Sequence, residues 1–535
     1  MRSSPSRAPT TVIRNARIVP VWSGGRAPAG LVDLRITDGL IGEVAPSGSG
    51  PGHGLRRTAQ RDDLVLDADG RWAIPGLWDA HVHLRQWAQT RTRLDVSKAD
   101  SAAAVTRMVA SHLRALEDPS SVVFGYGYRS ATWPSQPTVT ELDAVSGDHP
   151  VILTSGDAHN GWLNSAALRL LGVADHAAAD PLGTHTGALT ENAWFALAPR
   201  AIALAARITD DTAAIGAVVR DAAARGIVGI TDFEFADGIR DWPDRFADGI
   251  DQLRVRAAVY PDGLTAAIEA GLHTGDPLPG AGELGTGGLG TMGPLKIISD
   301  GSLNTRTAYC CEPYADAGAN DAHPAGVQNY DLAALTDLLQ QATAHRLDVA
   351  LHAIGDAAVS IALDAFTATG ARGSIEHAQL VRREDLPRMA ALGLRASVQP
   401  AHLLDDRDVT YRCWPDRADR CFAFRSMLAA GVELALGSDA PVSPLDPWLA
   451  MAAAVHRGDG DREPWNPAEA LTPAEALAAS VDGQPTLQVG RRGDLVLLDQ
   501  DPLAPAGDTQ AAARRLREVR VAATLVAGRP THLAF

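Results

Sequence analysis

The stretch WAIPGLWDAHVH, residues 72–83, is apolar almost throughout and carries two histidines one residue apart near its end. Such a run is typical of a strand that enters a buried core. Side chains two residues apart in a strand point to the same side, so His81 and His83 would face one common space. The pair fits a metal site, and it also fits two partly exposed histidines at the end of a strand. Further ligands elsewhere in the chain would favour the metal.

Seven further apolar runs follow, and Ala- and Leu-rich stretches of helical character, such as SAAAVTRMVASHLRALEDP (101–119), lie between them. Strands that alternate with helices predict a parallel sheet or barrel. Together with 72–83 there are eight candidate strands, the number that closes a (β/α)8 barrel. The other seven are 226–234, 253–261, 293–301, 347–355, 373–380, 394–400 and 432–441.

Both ends of the chain differ from the middle in their pattern. They contain short runs of alternating apolar and polar residues, broken by glycine and aspartate. We therefore expect an α/β protein in which a (β/α)8 TIM barrel carries a small β-sandwich formed from both termini. The predicted parts are residues 1–72 and 481–535 for the sandwich and 73–480 for the barrel. The gap between the first two barrel strands is too long for one helix, which predicts an insertion at about 85–220.

The bulk composition excludes several classes of protein. The net charge of −16 offers no basic surface for a phosphate backbone, which argues against nucleic acid as a partner. We find no apolar run long enough to cross a bilayer and no leader-like segment, so no membrane is expected and a cytoplasmic location is predicted. The 4 cysteines match no common disulfide or zinc spacing.

Polar, ligand-type residues end four of the later candidate strands: Lys296, His352, His377 and Asp439. Barrel active sites are assembled from the ends of several strands, so these side chains should meet the two histidines of the first strand. Four imidazoles and a carboxylate suit a borderline-soft divalent ion. The sequence therefore predicts one or two Zn²⁺ ions per chain, or another divalent metal in their place.

Lys296 is one of only two lysines, the other being Lys98, in a chain that otherwise uses arginine. An amine in an apolar strand beside metal ions would have a depressed pKa, and the uncharged amine can take up carbon dioxide to form a bridging carbamate. Arginine, which stays protonated, cannot do this chemistry. The alternative is a buried lysine paired with a carboxylate such as Asp300.

The pattern of HxH, Lys, His, His and Asp at strand ends resembles the amidohydrolase superfamily. Longer segments are similar to its YtcJ-like branch, amidohydrolase family 3, which includes N-substituted formamide deformylases. The resemblance covers about residues 11–500. It rests on PGLWDAHVHL, LDAVSGDHPVILTSGDAHNGWLNSAAL, GPLKIISDGSLNTRTA, HAIGDAAV, IEHAQLV, SVQPAH and GVELALGSDAPVSPLDPW.

The resemblance implies a role for each strand-end residue. His81, His83 and Asp439 would bind the more buried metal and His352 and His377 the more exposed one, with a carboxylated Lys296 as the bridge. A metal-bound hydroxide would then attack the substrate, and Asp439 would move the proton to the leaving group. The family also implies a small-molecule substrate and an even-numbered assembly such as a homodimer.

Five further residues are weaker candidates for substrate binding: Asp157, His159 and Asn164 in the insertion, and Asp300 and Arg306 just after the fourth strand. Polar residues on a lid or an arginine at the mouth would suit that role. Local turns and a structural salt bridge explain the same residues equally well. We interpret two other histidines, His402 and His456, as structural or as supports for the ligands.

The predicted function is hydrolysis of an amide, formamide or cyclic-amide C–N bond of a small molecule, other than a peptide bond. One alternative keeps the metal site for ester or lactone hydrolysis, or for a lyase or isomerase reaction. Another is a catalytically inactive binding protein on the same barrel. The intact set of ligand residues argues against the inactive protein.

Overall fold

The computed structural model of the chain describes residues 10–21, 28–48, 63–91, 93–116, 121–173, 188–208, 211–235, 237–281, 288–319, 321–460, 462–484 and 486–535. Parts of the predicted N-terminal region 1–72 therefore lie outside the described residues. At the centre is a barrel sheet of eight parallel strands, flanked by a sheet from the two ends of the chain and by a smaller inserted sheet. The predicted fold class is confirmed.

The first five strands are β1 (Thr11–Ile18), β2 (Val32–Thr37), β3 (Leu40–Pro46), β4 (Leu64–Asp67) and β5 (Trp72–Pro75). Strand β1 pairs antiparallel with β2 and parallel with β4 and β5. The chain then passes through Gly76 into β6 (Leu77–Val82), the first barrel strand, and into α1 (Leu84–Thr90). The predicted single strand 72–83 is thus two strands that belong to different sheets.

The crossing at Gly76 needs a glycine. A Cβ there would lie 2.3 Å from Cγ1 of Val228, closer than any real contact. Val228 is buried, and its β-branched side chain has little freedom to move aside. The absence of a side chain at Gly76 therefore allows the chain to pass from β5 in the terminal sheet to β6 in the barrel.

An inserted subdomain with its own sheet follows α1. Its elements are β7 (Leu94–Asp95), α2 (Ala102–Leu113), β8 (Val123–Tyr128), α3 (Val139–Ser146), β9 (Val151–Ser155), β10 (Asn160–Leu163), α4 (Ser165–Leu170), β11 (Ala188–Thr190) and α5 (Glu191–Ile208). The five strands form one sheet in the order β11-β10-β9-β8-β7. Two hydrophobic clusters pack on this sheet and not on the barrel core.

Helix α6 (Asp211–Ala224) returns the chain to the barrel. The remaining barrel elements are β12 (Ile227–Asp232), α7 (Gly238–Ala247), β13 (Arg254–Val259), α8 (Leu264–Glu269), β14 (Gly290–Ile298), α9 (Leu332–Ala344), β15 (Val349–Ala353), α10 (Asp356–Thr369), β16 (Gly373–His377), α11 (Asp385–Ala391), β17 (Arg395–Val398), α12 (His402–Cys413), α13 (Phe424–Ala430) and β18 (Glu433–Leu436). Seven of the eight predicted positions each contain one barrel strand, and the first, 72–83, contains the barrel strand β6 only in its second half.

Each barrel strand pairs with the next one along the chain, in the order β6, β12, β13, β14, β15, β16, β17 and β18. The two end strands, β6 and β18, approach each other at their carboxyl ends, where Asp439 N donates to His81 O at 2.7 Å and His83 N donates to Ala440 O at 2.9 Å. The barrel therefore closes at the position where the histidine pair and the aspartate lie.

The last elements are α14 (Pro447–His456), α15 (Pro473–Ala478), β19 (Leu495–Leu498), α16 (Thr509–Arg517), β20 (Val521–Val526) and β21 (Arg529–Leu533). Strand β19 pairs antiparallel with β5, which joins both ends of the chain in one sheet. Its residues share a hydrophobic cluster with β1 and β2. Among the described residues there is no helix that is long and apolar enough to cross a membrane.

Candidate metal centre

The six side chains predicted from strand ends meet at the carboxyl end of the barrel. His81 lies in β6 and His83 just after it, Lys296 in β14, His352 in β15, His377 at the end of β16, and Asp439 three residues after β18. All are buried except His83, which is half-buried. Parallel strands bring their carboxyl ends to one rim, so residues that lie far apart in the chain share one small space.

Asp439 and the histidine pair are arranged like metal ligands. Oδ1 of Asp439 lies 3.4 Å from Nε2 of His81 and 3.5 Å from Nε2 of His83. Two ligand atoms at the usual zinc bond length and a tetrahedral angle are about 3.3 Å apart. Nδ1 of His83 has no hydrogen-bond partner in the described part of the chain. The residues present therefore fit a divalent ion.

His81 is held in this orientation from behind. Its Nδ1 lies 2.7 Å from Oε2 of Glu376, whose other oxygen accepts from Ser374 Oγ at 2.5 Å. A carboxylate on the far nitrogen of a histidine fixes the tautomer that presents a lone pair to a metal. Burial, with the nearby charge of Lys296, lowers the pKa of His81 to about 4, so the ring is neutral at pH 7. Glu376 was not among the residues predicted from the sequence.

Asp79 links β6, which carries His81, to the loop after β18 that carries Asp439. Its carboxylate accepts from Ser438 N at 3.0 Å and from His81 N at 3.1 Å. Burial raises the pKa of Asp79 to about 7. The aspartate that precedes the histidines is therefore a support for the loop that carries Asp439.

Lys296 lies beside His81 and is buried. Its Nζ is 3.3 Å from Nε2 of His81 and 4.3 Å from the ring centroid of Phe233. Burial lowers the pKa of the amine to about 8, against the opposing charges of Glu376 and Asp439. Asp300, the partner considered from sequence, instead accepts from the amides of Tyr309, Ile354 and Gly355.

His352 and His377 lie side by side on the cavity side of the site, with ring centroids 4.5 Å apart. Nε2 of His352 is 3.1 Å from Gly301 O and 3.3 Å from Oδ1 of Asp300. If His352 carries its proton on Nε2, this nitrogen donates to the two oxygens. Nδ1 of the ring then keeps a lone pair that can bind a metal.

A cavity opens beside these residues, and the inserted subdomain forms one of its walls. Arg129, Asp157 and His159 line it from that side. The Tyr126 hydroxyl contacts Pro441 O, in the loop that carries Asp439. The inserted subdomain therefore lies against the carboxyl end of the barrel, beside the candidate ligands.

The weaker substrate candidates divide into two groups. Asp157 and His159 line the cavity, whereas Asn164, Asp300 and Arg306 are not among its lining residues. Asn164 caps α4 and is fully buried. Asp300 supports His352, and Arg306 bonds to Asp316 at 3.0 Å.

His402 was interpreted as structural or supporting, yet it lines the cavity, with Nε2 3.9 Å from Oδ2 of Asp439. His456 lies elsewhere, in α14, with Nδ1 3.3 Å from Thr509 Oγ1. The two histidines thus have different surroundings, although each is 8% exposed.

The Amidohydrolase family model matches residues 64–532. N-substituted formamide deformylase of Arthrobacter pascens is 28% identical over 520 residues, which are 89% of this chain and 91% of that protein. YtcJ of Bacillus subtilis (strain 168) is 26% identical over 472 residues, 82% of this chain and 86% of YtcJ. An uncharacterized metal-dependent hydrolase from Pyrococcus horikoshii OT3 superposes with a TM-score of 0.74 at 25% identity, and the match covers 93% of this chain and 98% of that one.

Proposed function

The chain belongs to the Amidohydrolase family, and from this membership we propose that it hydrolyses the C–N bond of a small amide, formamide or cyclic amide. The observation that carries the proposal is the close set of His81, His83 and Asp439, whose ligand atoms all lie within 4.8 Å of one another. The formamide deformylase, 28% identical over most of both chains, supports this bond type.

We assign His81, His83 and Asp439 to the buried ion, with Lys296 beside them as the bridging group in its carboxylated form. His352 and His377 line the cavity beside that ion. Zinc is the ion that best suits imidazole and carboxylate donors in this number. A bound divalent ion would activate water as a nucleophile and polarise the substrate carbonyl.

Asp439 is the residue that would move the proton. Burial opposes ionisation, but His81 and a hydrogen bond from His83 hold the pKa of Asp439 well below its usual range. The ionised carboxylate can accept the proton of the attacking water on one oxygen. It then returns this proton to the leaving nitrogen as the C–N bond breaks, so that an amine and a carboxylic acid are released.

The cavity favours an uncharged substrate over a carboxylate. Arg129 is the cation among its lining residues, and its Nη2 lies 3.0 Å from Oδ2 of Asp405 and 3.4 Å from Val442 O. A guanidinium so paired is not free to clamp a substrate carboxylate. Asp157 and Asp406 add further negative charge to the wall.

The test is a product screen with metal-loaded protein on matched panels of amides, formamides, cyclic imides, esters and lactones. We expect amine release from amides and formamides and ring opening to an amido acid from cyclic imides, and loss of turnover after chelation that returns when zinc is restored. Asp439→Asn should abolish turnover, whereas Asp405→Asn at the cavity wall should retain it. Turnover of lactones alone would contradict the bond type, and absence of turnover on every panel would favour the binding protein.

A further inference from the structure

We infer that His402 is a metal ligand, and that with His377 and Asp439 it holds a divalent cation on the cavity side of the site. The inference rests on the proposed metal centre but does not depend on which bond is cleaved. His402 is the first residue of α12, after the seventh barrel strand. No role in metal binding was expected for it from the sequence.

The first support is an unpaired nitrogen. His402 is 8% exposed, and its Nε2 has no hydrogen-bond partner in the described part of the chain. Nδ1 of His377 is also buried and unpaired among those residues. Buried polar atoms are nearly always satisfied in native proteins, so two such atoms at one cavity point to a missing partner. Imidazole nitrogens without a protein partner are free to bind a metal.

The second support is the spacing of the donors. His377, His402 and Asp439 offer ligand atoms that all lie within 4.8 Å of one another. Oδ2 of Asp439 faces His402, whereas Oδ1 faces His81 and His83. One carboxylate therefore presents its two oxygens to two separate donor sets, as a carboxylate that bridges two cations would.

The position of His402 is fixed by the helix that it begins. Asp406, one turn further along α12, accepts from Gln379 Nε2 at 2.9 Å and from Asn304 Nδ2 at 3.3 Å. Gln379 follows β16 two residues after His377. The same contacts that hold α12 against the barrel thus hold His402 and His377 on one wall, which pre-organises the pair for a ligand.

The surrounding charge also favours a cation. Among the described residues that line the cavity, Asp157, Asp405 and Asp406 lie beside Asp439, and one guanidinium, that of Arg129, faces them. The wall thus carries an excess of carboxylates close to the imidazoles of His377 and His402. A site lined by one sign of charge raises the local concentration of the opposite ion.

The test compares metal binding by wild-type protein, His402→Gln and the control His456→Gln. His456 is also 8% exposed and has an unpaired buried Nε2, but it lies in α14, away from the site. Zinc content after dialysis and chelator competition report stoichiometry and affinity without any assay of turnover. We expect two ions in wild type and in His456→Gln, and in His402→Gln a second ion weakened by more than the roughly 10–100-fold that loss of a supporting residue costs.

Equal affinity for both ions in His402→Gln and wild type would overturn the inference while leaving the proposed function in place. Wild-type protein that binds no ion would instead overturn the proposed function. Because His402→Gln could fail to fold, anomalous diffraction from zinc-loaded wild-type crystals gives a second measurement. It should show an ion about 2.0–2.1 Å from Nε2 of His402, and ions that are all coordinated without His402 would refute the assignment.

Discussion

Glu376 and His81 form a buried pair in which Oε2 lies 2.7 Å from Nδ1, on the side of the imidazole opposite to Asp439. The two residues are 295 positions apart, on the first and sixth barrel strands. The contact turns Nε2 of His81 toward the centre of the site. The geometry of the candidate ligand thus depends on a residue that does not face the candidate metal site.

Glu376→Gln should weaken zinc binding by roughly 10–100-fold, the usual cost of removing the partner of a ligating histidine. The amide keeps the volume of the carboxylate but loses its charge, so it no longer fixes the His81 tautomer. Chelator competition measures the change in affinity. Ser374→Ala, which removes only a donor to the other oxygen of Glu376, is the control and should have a much smaller effect. Unchanged zinc affinity in Glu376→Gln would show that the pair is not needed for binding.

Lys296→Ala should abolish turnover, and short-chain carboxylates should partly restore it. A small acid can occupy the space left by the side chain and supply the missing bridging oxygens. Lys296→Arg should be inactive and not rescuable, because a guanidinium cannot form a carbamate. Steady-state rates with and without added acid measure both effects. Near wild-type activity of Lys296→Arg would rule out the bridging role.

Asp494→Asn should lower the free energy of unfolding by about 3–5 kcal/mol, because it leaves the buried Arg254 guanidinium without its charge partner. Asp494 is fully buried, accepts from Arg254 Nε at 2.8 Å and also accepts from Ala527 N at 2.7 Å. Urea unfolding measures the loss.

The control for this pair is Asp348→Asn, which removes the partner of Arg372, whose side chain is 84% exposed. An exposed pair of this kind contributes about 0–1 kcal/mol. Similar losses in Asp348→Asn and Asp494→Asn would show that burial does not distinguish the two pairs.

Gly76→Ala should destabilise the protein by about 1–3 kcal/mol, because the new methyl group would overlap the Val228 side chain. Adding Val228→Ala should recover part of that loss, so the double variant should be more stable than the sum of the single effects predicts. Gly318→Ala, where a Cβ meets nothing within 4 Å, is the matched control. Additive losses at residues 76 and 228 would contradict the steric explanation.

The barrel and its six strand-end residues could be predicted because each signal is local. Lys296 or His352 within an apolar run is visible in a few residues of sequence, and the rule that barrel sites lie at strand ends brings them together. The boundary at Gly76 was missed because 72–83 reads as one apolar strand. Only the pairing of β5 with the distant β19 shows that two strands are present.

Residues whose role depends on distant neighbours could not be predicted. Glu376 precedes a candidate ligand, and nothing nearby indicates its contact with His81. His402 follows a strand that carries no other candidate ligand, and its relation to Asp439 appears only once the barrel closes. For Asn164 the sequence left substrate binding and a local turn open, because a polar lid residue and a helix cap look alike in sequence, and the structure places it at the start of α4.

The sheet shared by both ends of the chain also constrains biosynthesis. Thr11 Oγ1 donates to Gly528 O across 517 residues, and β5 pairs with β19, which is synthesised only after the whole barrel. Until then the nascent chain presents an unpaired strand edge next to the first barrel strand, and such edges template aggregation. The sheet that joins the two ends is therefore complete only once β19 and β20 have been synthesised, although its strand β5 lies at the start of the barrel.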